Sequence, residues 1–372
     1  MVRILPGPRP AGHLFGPVAV GFVLGSFFSF LTLTHYSRPP ISVTGCHPYL
    51  TSGRGACIPP VVHFIQLKKD ESSSLHFSFE SFLALYAAYH FVQPSVIYIH
   101  TDFSPQEISD AADYGSSWTR KVLTAFPRIV RLNRVTAPTK ANGLDITRVE
   151  HKSDFVRLDQ LILHGGIYLD WDALTLKPLK PLLNAGFKAV VGRQSDATIN
   201  NGVILAARDS AVVRIMKQET PRTFDGDWVT HSVKLITAVA QAVAGVPQEV
   251  LIMDPGAFAP FSWEQESVNR ALERHEGDAD AQQSAMEMQV MAADPMKAWE
   301  RHQASKTKEW AHDFNDAFFL HNYFNDVENP RGYNGVNVPY ILARDSNYAR
   351  AAWPAVMQGI KDGYIDENDS SL

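Results

Sequence analysis

Cysteine is scarce: the 372-residue chain has 2, Cys46 and Cys57. That excludes a disulfide-stapled scaffold, and a cysteine-built zinc module, because structural zinc sites take four ligands. The pair either closes a short disulfide loop in an oxidising compartment or stays as two free thiols. Excess basic charge is also lacking. A net charge of −5 gives no electrostatic footprint for nucleic acid. No segment repeats at a period of about 20–50 residues, which excludes solenoids and propellers. There is one Asn-x-Ser/Thr sequon, at Asn368. What remains is globular composition, 45% hydrophobic and 20% charged, in a chain long enough for one large domain or two ordinary ones.

Long apolar runs are missing with one exception. Leu14 to Leu33 carries no charge over 20 residues, though Gly16, Pro17, Gly21, Gly25, Ser26 and Ser29 dilute it. A helix needs about 20 apolar residues to cross a bilayer. The run exceeds the ~7–15-residue core of a signal peptide, and no clean small-x-small cleavage site follows. The expectation is an uncleaved transmembrane helix over 14–33, preceded by a short cytoplasmic tail (1–13) and followed by a Gly/Pro/Ser-rich stem (34–57). Arg3 and Arg9 before the run balance Arg38 and Arg54 after it. Orientation therefore rests on the folded body beyond the run: with luminal chemistry the protein is type II.

Past the stem, hydrophobic patterning alternates. Strands are predicted over 59–67, 94–102, 128–135, 167–172, 189–194 and 201–207. Helices are predicted over 76–90, 153–164, 210–218 and 232–243. That order implies an α/β domain around a mostly parallel sheet, with ligands at the carboxyl ends of strands. Residues 264–312 lack strand signals and read as an exposed helical or partly disordered insertion. The tail "DENDSSL" reads as disordered.

Two charges stand where a buried strand should avoid them. In "GGIYLDWDALTL", strand alternation puts Tyr168, Asp170 and Asp172 on one face and Ile167, Leu169 and Trp171 on the other. Neighbouring carboxylates repel, and burial raises the cost of their charge. A divalent cation relieves both, and magnesium or manganese takes oxygen ligands while bridging to phosphates. The tripeptide alone equally fits a solvated turn. Upstream, Ser153 can cap a helix that Gly165 ends. Asp154 and Arg157 lie three apart on one face of it, either as a surface ion pair or as a group for ribose and phosphate.

The block "SDFVRLDQLILHGGIYLDWD" (Ser153 to Asp172) resembles the signature of glycosyltransferase family 32, S-D-x-x-R-x-x-x-L-x-x-x-G-G-I-Y-x-D-x-D, and matches it throughout. "IPPVVHFIQL", "VIYIHTD", "NNGVILAA" and "FAPFSW" extend the resemblance over roughly 58–325. It implies a GT-A-type nucleotide-sugar-binding sheet flanked by helices over 58–345, with a C-terminal segment at 346–372. It implies a nucleotide-sugar donor (GDP-mannose or a UDP-sugar), Mn2+ or Mg2+, retention of anomeric configuration, and a glycan or glycolipid acceptor. Carried over by position, Asp154 and Arg157 hold the nucleoside and order the donor. Asp170 contacts ribose, donor sugar or a metal-bound water, Asp172 ligates the metal, and Ile65 and Gln66 line the base. Asn201 either contacts sugar or is a turn residue. His321 in "FFLHNYFND" either completes the metal site or is a structural histidine, because the family's His-x-x-x-x-Ser-Trp ending is absent. "WVTHSVKL" has His231 and Ser232 where relatives read Gly-Pro.

The reading this supports is a hexosyltransferase of the Golgi membrane, with mannose as the favoured sugar. Two others stand beside it: a catalytically inactive relative serving as a glycan-binding or Golgi scaffold protein, and a glycosidase using the aspartate pair, which would leave Asp154 and Arg157 unexplained.

Overall fold

The structure, a computed structural model, describes residues 57–276, 308–323 and 328–372. The expected anchor, most of the stem and Cys46 lie outside them. Cys57 is disulfide-bonded. Among the described residues no helix is long and apolar enough to cross a membrane.

In chain order the elements are β1 (Val61–Gln66), α1 (Phe79–Val92), β2 (Val96–Thr101), α2 (Pro105–Tyr114), α3 (Ser117–Thr124), β3 (Val130–Arg134), β4 (Lys140–Ala141), β5 (Leu144–Asp145), α4 (Val149–His164), β6 (Gly166–Leu169) and β7 (Ala173–Thr175). Then come α5 (Lys180–Leu183), β8 (Ala189–Arg193), β9 (Ile199–Ala206), α6 (Ala211–Thr223), a π-helical turn (Thr230–Lys234), α7 (Leu235–Val243), β10 (Val250–Met253), α8 (Pro255–Phe258), α9 (Gln265–Leu272), β11 (Phe319–His321), α10 (Val338–Ala343) and α11 (Asn347–Lys361).

Seven strands form one sheet in the order β10-β8-β9-β6-β1-β2-β3. β1, β2, β3 and β6 pair in parallel, as do β8 and β10, and β9 runs antiparallel between β6 and β8. This is the expected helix-flanked α/β sheet, with a reversed strand inside it. The apolar runs of β1, β6 and β9 are buried almost throughout, as a sheet covered on both faces requires. One core cluster gathers Val156, Leu158 and Leu161 of α4, Tyr168 of β6, and Val191 and Ile204 of β8 and β9.

Several expectations are corrected. The strand predicted over 167–172 ends at Leu169, and Asp170–Asp172 form a turn before β7. α4 begins at Val149 without a side-chain cap, so Ser153 lies inside the helix. "FAPFSW", which the resemblance sets at a late strand of the family, is no strand, since Phe258 closes α8. Part of the 264–312 stretch is α9, whose Val268, Ala271 and Leu272 are buried, not an exposed insertion; residues 277–307 lie outside the described set. The tail is ordered: Trp118 Nε1 donates to the Ser371 carbonyl at 3.3 Å. Helices α2, α3, α10 and α11 and strand β11 were not anticipated. α2 owes its start to Ser104 and Glu107, which satisfy each other's backbone N–H groups around Pro105.

β1 and β2 each bring a fully buried histidine to the sheet. His63 Nε2 lies 2.8 Å from the Gly165 carbonyl, so it donates there. Its Nδ1 therefore accepts from His100 Nε2 at 2.9 Å. His100 Nδ1 in turn accepts from Asn133 Nδ2 at 2.9 Å. The chain of bonds closes only with both rings neutral. Burial accordingly holds His63 down at about 3, against the Gly165 hydrogen bond, with His164 adding to the depression. Burial and the neighbouring histidines hold His100 well below its ordinary value.

Candidate active site

α4 and β6 are joined by Gly165 and Gly166, with φ of 63° and 117°. A Cβ on Gly166 would lie 2.2 Å from the Val61 carbonyl, so the helix can turn straight into the sheet only with glycine there. That turn sets Arg157 of α4 over the Tyr168 ring of β6, its guanidinium carbon 4.3 Å from the centroid.

Arg157 is 5% exposed and tightly bound. Nη1 donates to the Asn201 carbonyl at 2.6 Å. Nη2 faces Asp154 Oδ1 at 3.1 Å and Asp170 Oδ1 at 3.5 Å. Asp154 is buried and engaged at both oxygens: Asn201 Nδ2 donates to Oδ1 at 3.0 Å, and His231 Nε2 donates to Oδ2 at 3.0 Å. The Asp154 carboxylate thus orients Arg157 and faces protein donors, where the family resemblance implies that it holds the nucleoside. The Asn201 side chain is likewise bonded to Asp154.

After Leu169 the chain turns. Asp170 N–H donates to Gly202 O at 2.8 Å and Ala173 N–H to Asp170 O at 3.1 Å. The Tyr168 hydroxyl donates to Asp170 in a short hydrogen bond. Trp171 points the opposite way: its indole stacks on Phe64 with centroids 4.3 Å apart, and Nε1 donates to the Ile65 carbonyl at 2.9 Å. Ile65 and the partly buried Gln66 lie at the carboxyl end of β1, and Ile65 meets the turn through this bond.

β7 pairs antiparallel with β11, which sets His321 opposite Ala173. His321 Nε2 is 3.0 Å from Asp172 Oδ1 and 4.0 Å from Asp170 Oδ2. One ligand atom from each of Asp170, Asp172 and His321 lies within 4.8 Å of the others. Gly202 of β9 makes room, because a Cβ there would be 2.6 Å from Asp170 Oδ2 and 2.7 Å from His321 Cε1. The structure thus brings Asp154, Arg157, Asp170, Asp172, Asn201 and His321 into one connected site.

Charge accounts for the titration of these groups. Burial and the Asp172 charge raise the Asp170 pKa, outweighing Arg157 and His321. His321 is raised too: burial opposes its charge, but Asp172 and Asp170 outweigh that. Arg157 is held charged by Tyr168 and the three aspartates against the cost of burial. Two carboxylates and an imidazole in this space form an oxygen-and-nitrogen donor set suited to manganese or magnesium, and a cation there would offset the excess negative charge.

His321 rests on a second layer of side chains. Gly202 N–H donates to Asn200 Oδ1 at 2.7 Å, which fixes the amide orientation. Asn200 Nδ2 then faces His321 Nδ1 at 2.9 Å and the Tyr323 hydroxyl at 2.7 Å. With Nδ1 accepting, Nε2 carries the proton and donates to Asp172. An ion held at Nε2 has to displace that proton.

Sequence reasoning missed Asn200, Tyr323 and the role of His231. His231 is 0% exposed, and its Nδ1 has no partner. Its one sequence signal was a histidine where relatives carry glycine.

Residues 88–188, which hold Asp154, Arg157, Asp170 and Asp172, match the family model "glycosyltransferase sugar-binding region containing DXD motif". The match marks this segment as a DXD-type glycosyltransferase sugar-binding region and supports a sugar transferase. Among curated proteins it is similar to "Glucan organizing enzyme 1" of Cryptococcus neoformans var. grubii, with 25% identity over 244 residues, or 62% of each protein. The chain thus spans somewhat under two thirds of that relative's length. Among solved structures it has loose likenesses to the PaToxG glycosyltransferase (14% identity, 52% of this chain and 73% of that one, TM-score 0.37) and to a 4-diphosphocytidyl-2C-methyl-D-erythritol synthase from Anaerococcus prevotii (10% identity, 52% and 86%, TM-score 0.30). Neither likeness bears on activity.

Proposed function

We propose that this chain transfers a hexose from a nucleotide-sugar donor to a glycan or glycolipid acceptor, with retention of configuration and with a divalent cation bound by Asp172, Asp170 and His321. The observation that carries the proposal is the convergence of those three ligand atoms within 4.8 Å beside a buried arginine. Mannose is the sugar we favour. The glucan in the relative's name supports a glycan acceptor. The uncharged Leu14–Leu33 run supports a Golgi, type II anchored enzyme.

As the anomeric carbon–oxygen bond breaks, negative charge grows on the leaving diphosphate and positive charge on the sugar. When bound, the cation supplies Lewis-acid stabilisation of the diphosphate. The protein's own contribution is preorganised charge. Arg157 is locked by Asp154 and Asn201, so its field is in place before the donor arrives. Asp170, tied by Tyr168 and close to Arg157, would reach the cation through a bound water or meet ribose or the donor sugar. Asp172 is the direct ligand, and Ile65 and Gln66 line the base.

The test is a screen of GDP- and UDP-sugars against the protein with and without manganese, reading nucleotide release. The expectation is manganese-dependent release from one donor class. Failure to release or bind any nucleotide would sink the transferase reading.

A further inference from the structure

The first turn of α1 and the residue after β11 form a polar cluster that the site described above does not use. Ser78 caps α1, accepting from Ser81 N–H at 3.2 Å. Just before it, Phe77 packs on Trp171 with centroids 5.0 Å apart, which fixes the start of the helix beside the Asp-Trp-Asp turn. Glu80 in that first turn is half-buried. The Tyr348 hydroxyl of α11 donates to Glu80 Oε1 at 3.4 Å. From the other side comes Asn322, whose backbone N–H donates to the Asp172 carbonyl at 2.9 Å. Its side-chain amide stands near the Glu80 carboxyl, close enough to ease ionisation, yet Nδ2 is not in hydrogen-bonding geometry with that carboxyl or any other group. Asn322 is 3% exposed.

A buried amide without a partner calls for an explanation. A carboxyl next to it with one long protein hydrogen bond has spare capacity of its own. Together they present an amide donor and carboxyl oxygens one residue from a candidate metal ligand. That is the pattern needed to grip neighbouring hydroxyls of a pyranose, each of which both donates and accepts. Asp172 is itself partly open, its side chain 29% exposed. We propose that Glu80 and Asn322, with Tyr348 orienting Glu80, form the subsite that binds hydroxyls of the acceptor sugar beside Asp172.

The subsite rests on the transferase reading, and its test separates the two. The full chain is loaded with manganese and GDP or UDP, followed by calorimetry. It is then probed by saturation-transfer NMR with p-nitrophenyl glycosides of mannose, galactose, glucose and N-acetylglucosamine. The wild type is expected to bind nucleotide and at least one glycoside. Glu80→Leu should weaken that glycoside about tenfold or more, equivalent to one lost hydrogen bond of ~1.4 kcal/mol. Glu80→Gln, which keeps an acceptor, should restore most of it, and nucleotide affinity should hold within about twofold throughout. Asn322→Ala should weaken glycoside binding on its own, and carries the test if Glu80→Leu does not fold. A wild type that binds nucleotide but no glycoside, or variants that bind glycosides as the wild type does, overturns the subsite. Loss of glycoside and nucleotide together in the variants overturns it as well. No nucleotide binding by the wild type removes the transferase reading and the subsite with it.

Discussion

Replacing Arg157 by lysine keeps the charge and removes the fork. Arg157 Nη1 donates to the Asn201 carbonyl at 2.6 Å, while Nη2 faces Asp154 at 3.1 Å and Asp170 at 3.5 Å. An ammonium is a single point charge on a flexible stem and cannot reproduce this planar set. If two of the three contacts go, at about 1.5–3 kcal/mol for each charged hydrogen bond, relaxation leaves a loss of roughly 3 kcal/mol. In a domain of this size that lowers Tm by on the order of 5 °C. The charge is also no longer held 3.5 Å from Asp170, and loss of one preorganised electrostatic group costs about 10²–10³ in turnover. Thermal unfolding and manganese-dependent nucleotide release, measured on the same preparation, read the two effects. Arg157→Leu should be worse, about 3–5 kcal/mol, because buried carboxylates remain without a cation. A lysine variant with wild-type Tm and turnover would refute the reasoning.

Asp172→Asn should cut nucleotide release by roughly 10²-fold or more with little change in Tm, and excess EDTA should do the same to the wild type; full activity in either case argues against a cation at this site. Gly202→Ala places a methyl against Asp170 and His321, so it should weaken manganese binding measured by calorimetry, and an unchanged affinity would show that the close packing is irrelevant. His231→Ala removes a fully buried donor to Asp154 and should destabilise by roughly 2–4 kcal/mol in urea melts, with a wild-type midpoint as the contrary result. Acid should also destabilise the fold through His63, whose folded value of about 3 lies below its ordinary 6.5. The unfolded chain then binds the extra proton between those limits, so this stability is present above pH 6.5 and is lost as pH falls. At pH 5 the loss is about 2 kcal/mol from His63 alone, with more from His100. Urea melts that do not change from pH 7.5 to 5 would show that the two rings are not held neutral.

Much of the fold was legible because it is written locally. Val61–Gln66 and Val96–Thr101 are apolar, β-branched runs, and Gly165–Gly166 marks where α4 must stop. What escaped was set by partners distant in sequence. Asp170 and Asp172 were placed on a strand by alternation, but the ladder to β9 closes with the Asp170 N–H on the Gly202 carbonyl, and the Ala173 N–H then turns the chain back onto the Asp170 carbonyl. Short β7 has no periodicity to detect, and exists because Phe319–His321 pairs with it. The tail looked disordered by composition, yet Trp118 holds it.

The same division runs through the site. Sequence alone singled out the candidate groups and their local neighbours: Asp154 and Arg157 one helical turn apart, then a double glycine, then two aspartates flanking a tryptophan. Such spacing is a property of one continuous helix–turn–strand segment, so no distant contact is needed to infer it. The tertiary structure decided how those groups are used. It turned the Asp154 carboxylate onto Asn201 and His231, and it carried His321 across 149 residues to within 3.0 Å of Asp172. It also set Glu80 and Asn322 beside that aspartate. These are meetings between segments brought together by sheet pairing and core burial, and no periodicity along the chain encodes which side chains then face each other.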